Sequence, residues 1–371
     1  MASDFIRVPP RPRDIPPGFS GAPEKIVSII ADKLVEREYN VTLFASGDSE
    51  TKASLISLQK KATCLDPEIG EGKHVDFEYA LISKCFQMAN KGNFDIIYSN
   101  FDYRSAFFAP FSKIPVVSIL HSPLVGNKKR LLESVSSYQY YVSISNAQRK
   151  NFPNLPYIAT IYHGVDLNDF DFSEKENGYL AIVGRVHPYK GIEKAATVAR
   201  KINKKLLIIG SHDEKDYWKN KVKPKIDNKY VVYLGQLPQD KVIFYLKTAR
   251  AFLFPIQWEE PFGLVMIEAM ACGTPVVAFA RGSVPEIVVD GKTGFIVNSS
   301  DSDKRGNWIV KKTGLEGFEE AVRKIYEMPE EEYRQMRQNC RKHVEENFTI
   351  EKMIDGYEAV YKKVIKDFNK K

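Results

Sequence analysis

The strongest constraint on the fold of this chain is a regular alternation of short apolar, β-branched runs with segments of helical character. Such alternation is typical of α/β proteins with parallel sheets. The runs predict strands at Phe5–Val8, Val41–Phe44, Asp95–Ser99, Val116–Leu120, Tyr141–Ile144, Ile158–Tyr162, Tyr179–Val183, Leu206–Ile209, Val231–Leu234, Ala251–Phe254 and Val276–Ala280. The best helix of the first half spans about Pro23 to Glu38, because its apolar residues recur at helical spacing.

The alternation is interrupted at Asn168–Gly178, a polar stretch with turn formers and no apolar period. Such a stretch predicts a linker. A chain of 371 residues also exceeds the size that a single core usually serves. We therefore predict two similar α/β domains joined by this linker, followed by a helical tail after about Leu315.

Composition and charge exclude several classes of protein. The net charge is +7, and the excess is spread over both halves, unlike the concentrated basic face of a nucleic-acid-binding domain. No apolar run approaches the roughly 18 residues that span a bilayer, and no secretory signal is recognisable. The four cysteines form no C-x-x-C pair and no metal-ligand spacing. We expect free thiols and a cytoplasmic location.

One basic and aromatic cluster is compatible with an anionic membrane surface. It comprises Lys128, Lys129, Arg130, Tyr138, Tyr140, Tyr141, Arg149 and Lys150. A solvated helix face is the favoured interpretation. The alternative is peripheral contact with phospholipid head groups at the inner face of the membrane.

Ligands of doubly wound sheets bind beyond the C-terminal ends of strands, where helix N-termini present amides. The first such junction is Pro16–Ala22, which leads from the first strand into the Pro23 helix. Gly21 there would let a phosphate approach the backbone near the positive end of the helix dipole. The bland alternative is a simple turn.

The second junction follows the strand that ends near Gly184, and places Arg185 and Lys190 five residues apart on the loop before a helix. Arginine binds phosphate oxygens in a bidentate manner and lysine adds a compact charge, so the two together can neutralise a diphosphate. The alternative is a pair of solvated surface cations.

The third junction is Pro255–Gly263, followed by a helix that contains Glu268 and stops at Gly273. Glu260 lies just ahead of this helix. Because one carboxylate can accept two hydroxyl hydrogens, Glu260 and Glu268 could hold a hexose and a ribose with phosphate between them. The alternative makes both of them ordinary helix charges.

In this order the motifs resemble glycosyltransferase family 4 within the GT-B fold superfamily, over nearly the whole chain. The matching motifs are Gly18-Phe-Ser-Gly21, Leu120-His121-Ser-Pro, His163-Gly164-Val165-Asp166, Gly184-Arg185 with Lys190-Gly191, Glu260-Pro-Phe-Gly263 with Glu268, Gly273-Thr-Pro275 and Gly291-x-x-Gly294. Family members usually have Asn at the position of His163. The resemblance implies two Rossmann-like domains facing each other across a deep cleft. Residues 1–165, with a C-terminal helix of about 350–371, would form the acceptor side, and residues 170–349 would bind the donor.

The resemblance also implies roles on the nucleotide side of the donor. Gly21 would lie against the diphosphate, which Arg185 and Lys190 would neutralise. Glu268 would bind the ribose hydroxyls, and the base would lie near Leu234-Gly235.

For the transferred sugar, the resemblance implies that Glu260 and the backbone amides of Phe262, Gly263 and Leu264 hold its hydroxyls. His121 would contact the sugar close to the reacting centre. The catalytic residues would thus be His121, Arg185, Lys190 and Glu260.

The family moves a hexosyl group from a UDP- or GDP-sugar to a saccharide, lipid-linked or small-molecule acceptor, with retention and without metal or other cofactor. Consistently, we interpret the acidic pairs Asp169/Asp171 and Asp301/Asp303 as solvated loop acids, not as metal ligands. Two alternatives stay open: a GT-B-fold sugar-nucleotide epimerase, and a catalytically silent nucleotide-sugar-binding protein. A Rossmann dehydrogenase is disfavoured, because no G-x-G-x-x-G follows a strand.

Overall fold

The computed structural model describes residues 4–8, 21–63, 66, 69, 74–101, 103–122, 126–212 and 214–370. The chain divides into two compact units. One consists of Met1–His163 together with Ile350–Lys371, and the other of Gly164–Thr349. Within the described ranges, every helix is too short or too polar to cross a bilayer.

The first unit is built on a parallel sheet of seven strands in the order β3-β2-β1-β4-β5-β6-β7. Its elements are β1 (Asp4–Val8), α1 (Ala22–Glu36), β2 (Asn40–Phe44), β3 (Ser54–Ile56), α2 (His74–Ala89), β4 (Ile96–Ser99), β5 (Val116–Ile119), α3 (Asn127–Val135), β6 (Tyr140–Ser143), α4 (Asn146–Arg149), β7 (Tyr157–Thr160) and α12 (Ile350–Phe368). The strand order reverses between β1 and β4. In open α/β sheets, the crevice at such a reversal is where ligands bind.

The C-terminal helix α12 belongs to the first unit because one face of it is apolar and aromatic. Tyr357 and Tyr361 are buried and meet the ring of Tyr98 on β4, with centroids 5.4 and 5.2 Å away. On the polar side, Glu358 accepts hydrogen bonds from Arg37 (2.7 Å) and from the hydroxyl of Tyr39 (2.5 Å). Apolar burial and this clamp together attach the helix to a unit built mainly from the other end of the chain.

The second unit has a parallel sheet of six strands in the order β10-β9-β8-β11-β12-β13. Its elements are β8 (Leu180–Val183), α5 (Ile192–Lys201), β9 (Leu206–Ile209), α6 (Lys215–Tyr217), β10 (Val231–Gly235), α7 (Gln239–Lys247), β11 (Ala251–Phe254), α8 (Leu264–Ala271), β12 (Val276–Phe279), α9 (Val284–Ile287), β13 (Gly294–Val297), α10 (Gly314–Glu327) and α11 (Glu330–Asn347). Here the order reverses between β8 and β11. β9, β11, β12 and β13 are buried throughout, as expected for parallel strands covered on both faces.

All eleven predicted strands are present, and no end differs from the prediction by more than two residues. The sequence reading missed two edge strands, β3 and β13. β3 has only three residues, and just two of them are apolar. β13 begins at Gly294, where an added Cβ would stand 1.9 Å from the carbonyl oxygen of Val276. That glycine is needed for close strand pairing, yet in the sequence it resembles a turn residue.

The predicted linker Asn168–Gly178 has no helix or strand but is packed onto the second unit. Phe170 is buried, and its carbonyl accepts a hydrogen bond from Arg341 (2.6 Å). The fully buried Arg337 donates to the carbonyl of Ser173 (2.8 Å). The stretch is therefore a fixed strap along α11. Its turn-forming residues give an irregular backbone, and carbonyl groups of that backbone accept hydrogen bonds from arginine side chains of α11.

Candidate functional site

Two loops converge where the strand order of the second unit reverses. The loop after β8 ends at Gly191, and the loop after β11 begins at Pro255. Gly191 has φ +64°, and a Cβ there would stand 2.1 Å from the carbonyl oxygen of Pro255. The amide of Gln257 donates to the carbonyl of Tyr189 (2.7 Å). The glycine therefore allows the two loops to touch, and the hydrogen bond fixes them together.

This contact brings Lys190 and Glu260 together. Lys190 Nζ lies 2.8 Å from Glu260 Oε2, and the side chains are only 23% and 11% exposed. The same oxygen accepts a hydrogen bond from Trp258 Nε1 (3.1 Å). Lys190 also lies 5.6 and 5.9 Å from the ring centres of Phe254 and Trp258. The result is a partly desolvated cation beside a carboxylate, at the edge of the sheet where ligands bind.

Arg185 lies on the same loop as Lys190 but differs in its surroundings. Its side chain is exposed and forms no hydrogen bond or ion pair with another described residue. Burial lowers the pKa of nearby His187; Glu214 opposes this, and the charges of Arg185 and Lys190 lower the pKa further. The loop therefore presents positive charge that an anion can use.

The helix α8 begins beside Glu260. Its N-cap residue, Gly263, has φ +80° and offers no capping side chain, so none competes for the first amides, which include that of Leu264. Phe262 is buried, and its carbonyl accepts a hydrogen bond from the hydroxyl of Ser283 (2.6 Å). An anion or a sugar oxygen at this helix end would meet backbone amides and a favourable dipole.

Glu268 lies in the second turn of α8 and is half-buried. Lys190, Glu260 and the N-terminus of α8 thus form one local group, with Glu268 further along the helix. Arg185, Lys190, Glu260 and Glu268 are the residues of this unit that the sequence predicts to bind the phosphates and hydroxyls of a ligand. All four follow one of two neighbouring strands, β8 and β11.

Glu259, next to Glu260 in sequence, turns away from this group. Its carboxylate accepts hydrogen bonds from Arg305 (2.6 Å) and from the amide of Gly282 (2.8 Å). Burial raises its pKa, but the bonds from Arg305 and Gly282 outweigh this, so that the pKa is lowered. Glu259 is a structural anchor for the turn at Gly282.

The same ion network corrects the interpretation of Asp303 as a solvated acid. Asp303 accepts from Arg305 Nε (2.7 Å) and lies 3.2 Å from Arg281 Nη2. The hydrogen bond from Arg305 is the main cause of its lowered pKa. Asp301, in contrast, is 84% exposed, as expected for a solvated acid. Among the described residues no group of three His, Cys, Asp or Glu side chains is arranged to hold a metal ion.

The predicted position of the base, Leu234-Gly235, is the end of β10. Gly235 has φ +75°, and its carbonyl accepts a hydrogen bond from the amide of Gly210 (2.8 Å). Gly235 lines a cavity of about 810 Å³ at the ends of β9 and β10. The predicted base position is therefore open space bounded by two strand ends.

In the first unit, His121 follows β5, and its Nε2 lies 2.9 Å from Asn100 Oδ1. Its ring stacks on that of His163, with centroids 5.8 Å apart. Burial and the neighbouring His121 hold the pKa of His163 well below its usual range. Asn100, fully buried just after β4, was missed by the sequence reading. Its position at the end of a strand beside the reversal point was the available signal.

Gly21 caps α1 with φ +119° and no side-chain hydrogen bond. A Cβ at Gly21 would stand 2.3 Å from Glu24 Oε2, and Glu24 is buried. A phosphate approaching Gly21 from that side would require the Glu24 carboxylate to move. The preceding glycine of the motif, Gly18, lies outside the described residues.

The basic and aromatic cluster is not one continuous surface. Tyr141 is fully buried, and Arg149 packs over the ring of Tyr157 and donates to the hydroxyl of Ser143. The interpretation that included Tyr141 in an exposed patch is therefore wrong, because Tyr141 lies on β6, which is paired on both sides. The exposed members are Lys129 and Arg130 on the helix α3, Tyr138 and Lys150.

Residues 167–343, nearly all of the second unit, match the model of the family described as Glycosyl transferases group 1. The second unit is thus similar to the glycosyl transferases of group 1. The predicted resemblance to this class of enzyme is confirmed. Arg185, Lys190, Glu260 and Glu268 lie within the matched range.

The chain is also similar in sequence to two curated enzymes. The chain is 27% identical over 326 residues to N-acetyl-alpha-D-glucosaminyl L-malate synthase of Bacillus anthracis. The matched region covers 78% of this chain and 80% of that enzyme. The chain is 27% identical over 212 residues to D-inositol 3-phosphate glycosyltransferase of Mycolicibacterium smegmatis, with 52% and 46% covered.

Solved structures resemble the chain over almost its full length. Sucrose-phosphate synthase from Thermosynechococcus elongatus has a TM-score of 0.78 at 18% identity, covering 99% of this chain and 100% of that one. HepE from Anabaena, in complex with UDP and glucose, has a TM-score of 0.72 at 18% identity, covering 97% and 100%. At these identities the likeness establishes the fold, and the predicted GT-B class is confirmed.

Proposed function

We propose that this chain is a glycosyltransferase that moves a hexosyl group from a UDP-sugar to an acceptor hydroxyl with retention of anomeric configuration. The observation behind the proposal is the pairing of Lys190 with Glu260 at the reversal point of the second sheet, beside the N-terminus of α8. A cation that could bind phosphate and a carboxylate that could bind sugar hydroxyls are therefore next to each other. The second unit would bind the donor and the first unit the acceptor.

The donor would lie along the strand ends of the second unit. Lys190 and the exposed Arg185 would neutralise the diphosphate, with Gly21 of the first unit as a further predicted contact. Glu268 would accept the ribose hydroxyls, and the base would lie near Leu234-Gly235. UDP is the preferred nucleotide in this proposal because the similar HepE structure contains UDP and glucose.

The transferred sugar would lie at the start of α8. Glu260 would accept hydrogen bonds from sugar hydroxyls at the oxygen lone pairs that Lys190 and Trp258 do not use. The backbone from Phe262 to Leu264 would line the opposite side of the sugar. His121 of the first unit would contact the sugar near the reacting centre.

The reaction would be a same-face displacement. The bond between the anomeric carbon and the UDP oxygen breaks, the acceptor oxygen bonds to that carbon on the same face, and the acceptor proton passes to the departing phosphate. Lys190 and Arg185 would stabilise the charge that develops on UDP, in the place where other enzymes use a metal ion. Catalysis would accordingly not need added metal or another cofactor.

The acceptor classes remain a saccharide, a lipid-linked sugar or a small molecule. The names of two relatives, which contain L-malate and inositol 3-phosphate, make small hydroxyl-bearing anions the first class to test. We also propose a cytoplasmic location, with the exposed basic part of α3 as the segment for any peripheral contact with an anionic membrane.

The test begins with calorimetric binding of UDP and GDP, followed by transfer assays with UDP-glucose, UDP-galactose, UDP-N-acetylglucosamine and GDP-mannose against the three acceptor classes. Expected results are UDP binding, UDP release that depends on acceptor, and an α-configured product by NMR from an α-configured donor. Added EDTA should leave the rate unchanged. An inverted product, or loss of activity on chelation, would overturn the corresponding part, and acceptor-independent UDP release would favour an epimerase.

A further inference from the structure

Trp258 contacts both members of the Lys190–Glu260 pair. Its indole Nε1 donates a hydrogen bond to Glu260 Oε2 (3.1 Å), the same oxygen that lies 2.8 Å from Lys190 Nζ. Its ring centre lies 5.9 Å from Lys190 Nζ. Among the described residues, no donor is hydrogen-bonded to the other carboxylate oxygen, Oε1. The two oxygens of Glu260 therefore have different surroundings, with both protein donors on Oε2.

The orientation of the indole is fixed by rings on the neighbouring loop. The ring of Tyr189 stacks on that of Trp258, with centroids 5.2 Å apart and planes inclined by 25°. Tyr189 also stacks on His187, with centroids 3.4 Å apart and an angle of 28°. The carbonyl of Tyr189 accepts a hydrogen bond from the amide of Gln257, the residue before Trp258. A stack of three rings and a backbone hydrogen bond thus hold the indole beside Glu260.

The hydrogen bond from Trp258 restricts rotation of the Glu260 carboxylate. A lysine ammonium is a compact charge with rotatable donors, so by itself it does not fix which carboxylate oxygen it binds. An indole N–H is a single donor on a rigid ring, and it cannot accept a hydrogen bond. With Lys190 and Trp258 both on Oε2, rotation of the carboxylate would break the hydrogen bond from the indole. Oε1 is therefore the oxygen that can accept a hydrogen bond from a ligand hydroxyl.

We propose that Trp258 is a positioning residue for sugar transfer. Its N–H holds Oε2 of Glu260, so that Oε1 accepts hydrogen bonds from the hydroxyls of the transferred sugar. This inference rests on the role of Glu260 in the proposed function, and it adds a residue that acts through Glu260. In this role Trp258 does not contact the sugar, which distinguishes it from an aromatic ring on which the sugar stacks.

Trp258→Phe removes the indole N–H and keeps an aromatic ring beside Lys190. In transfer from the donor preferred among UDP-glucose, UDP-galactose and UDP-N-acetylglucosamine, kcat should fall at least about tenfold, as expected for loss of a hydrogen bond to a charged group. Affinity for UDP, measured by calorimetry, should stay within about twofold, because UDP has no hexose and the ring beside Lys190 is kept. An unchanged kcat, or an equal loss of affinity for UDP, would overturn the proposal.

Trp308→Phe is the matched control. Trp308 is a half-buried residue of the same unit, and its Nε1 donates over the same distance, 3.1 Å, to the side-chain oxygen of Asn298. The substitution removes an indole hydrogen bond without altering the surroundings of Glu260, so kcat should stay within about twofold. Equal losses of kcat in Trp258→Phe and Trp308→Phe would contradict a specific role of Trp258.

A double variant tests whether Trp258 acts through Glu260. In a chain that carries Glu260→Ala, the further substitution Trp258→Phe should lower the residual kcat by no more than about twofold, because the hydrogen bond between the two side chains is already lost. A further loss of about tenfold would mean that the indole acts on the sugar directly or through the fold, and the positioning role would be wrong.

The indole N–H signals provide a readout that does not need turnover. The chain has three tryptophans, so in proton–nitrogen correlation NMR the signal of Trp258 is the one that is absent in Trp258→Phe. Glu260→Ala should move this signal upfield in the proton dimension, because the N–H loses its charged acceptor, and should leave the signals of Trp218 and Trp308 in place. A Trp258 signal that does not move would refute the proposal. Absence of transfer by the unaltered chain, with a signal that moves as expected, would instead count against the proposed function.

Discussion

Replacing Glu260 with Gln should separate the sugar from the nucleotide in the binding of the donor. Lys190 is paired with Glu260 at 2.8 Å, and both side chains are mostly shielded. UDP has no hexose, so it needs Lys190 but not Glu260. In Glu260→Gln the lysine no longer has a competing carboxylate. An ion pair of this partial exposure contributes on the order of 1 kcal/mol, which predicts UDP binding up to about fivefold tighter.

Lys190→Met should have the opposite effect on UDP. It removes a charged hydrogen bond to phosphate worth roughly 1.5 to 3 kcal/mol, so affinity should fall about 10- to 100-fold. In the transfer reaction both variants should be slow, since the hexose needs Glu260 and the departing UDP needs Lys190; a loss of about 100-fold is expected for each. Calorimetry with UDP and a transfer assay under saturating donor measure the two quantities separately.

The neighbouring carboxylate provides the control. Glu259→Gln alters the same loop, but Glu259 is bonded to Arg305 and to the amide of Gly282. It should lower thermal stability while leaving the affinity for UDP within about twofold, because the charge of Glu259 is already neutralised. If Glu260→Gln weakened UDP as much as Lys190→Met in a folded protein, Glu260 would contact the nucleotide, and the division of roles would be wrong.

Three other substitutions test the structural basis of the site. Gly282→Ala places a Cβ 2.1 Å from a backbone carbonyl oxygen and should destabilise the chain by about 2 to 4 kcal/mol in denaturant unfolding, whereas Gly178→Ala, also at positive φ but with open space, should cost only about 1 kcal/mol. Asn100→Leu removes the side-chain oxygen that accepts from His121, so it should change kcat more than KM. Asn100→Gln keeps an amide oxygen and should change kcat less; equal effects of the two substitutions on kcat would argue against the positioning of His121 by Asn100. Hydrogen bonds from Lys362, Tyr39 and Arg37 depress the pKa of Glu358 from 4.5 to about 2, so its stabilisation is present above pH 4.5 and should be lost as pH falls towards 2; Glu358→Gln should show a smaller loss of melting temperature over that interval.

Much of the fold could be predicted because parallel strands that are covered on both faces have continuous apolar sequences. β11 and β12 are fully buried and stand out in the sequence for that reason. The edge strand β3 carries no such signal, since only one side of it is paired. The attachment of α12 was expected only by resemblance. Its physical basis, the tyrosine rings against Tyr98, involves residues more than 250 positions apart in the sequence.

The candidate site was predictable as far as local rules extend. A helix start after a strand identifies the junctions of Lys190 and Glu260, because strand ends and glycines are local features. The pairing of these two residues depends on the neighbouring positions of β8 and β11 in the sheet, which no local pattern contains. Asn100 was missed for a related reason. An asparagine after a strand is usually a turn residue, and only its contact with His121 distinguishes it.

Glu259 and Glu260 are distinguished in the structure by contacts with residues far along the chain. Both are acidic residues ahead of the same helix, and in the sequence only the motif Glu260-Pro-Phe-Gly263 distinguishes them. Arg305, on a loop far along the chain, binds Glu259, and Gly282 lets its own turn approach the backbone of Glu260 so closely that any Cβ would collide. The two adjacent carboxylates thus have different partners: Glu259 is held by Arg305 and the turn at Gly282, and Glu260 by Lys190. The acid proposed to bind the sugar is therefore selected by the arginine and the glycine that hold its neighbour.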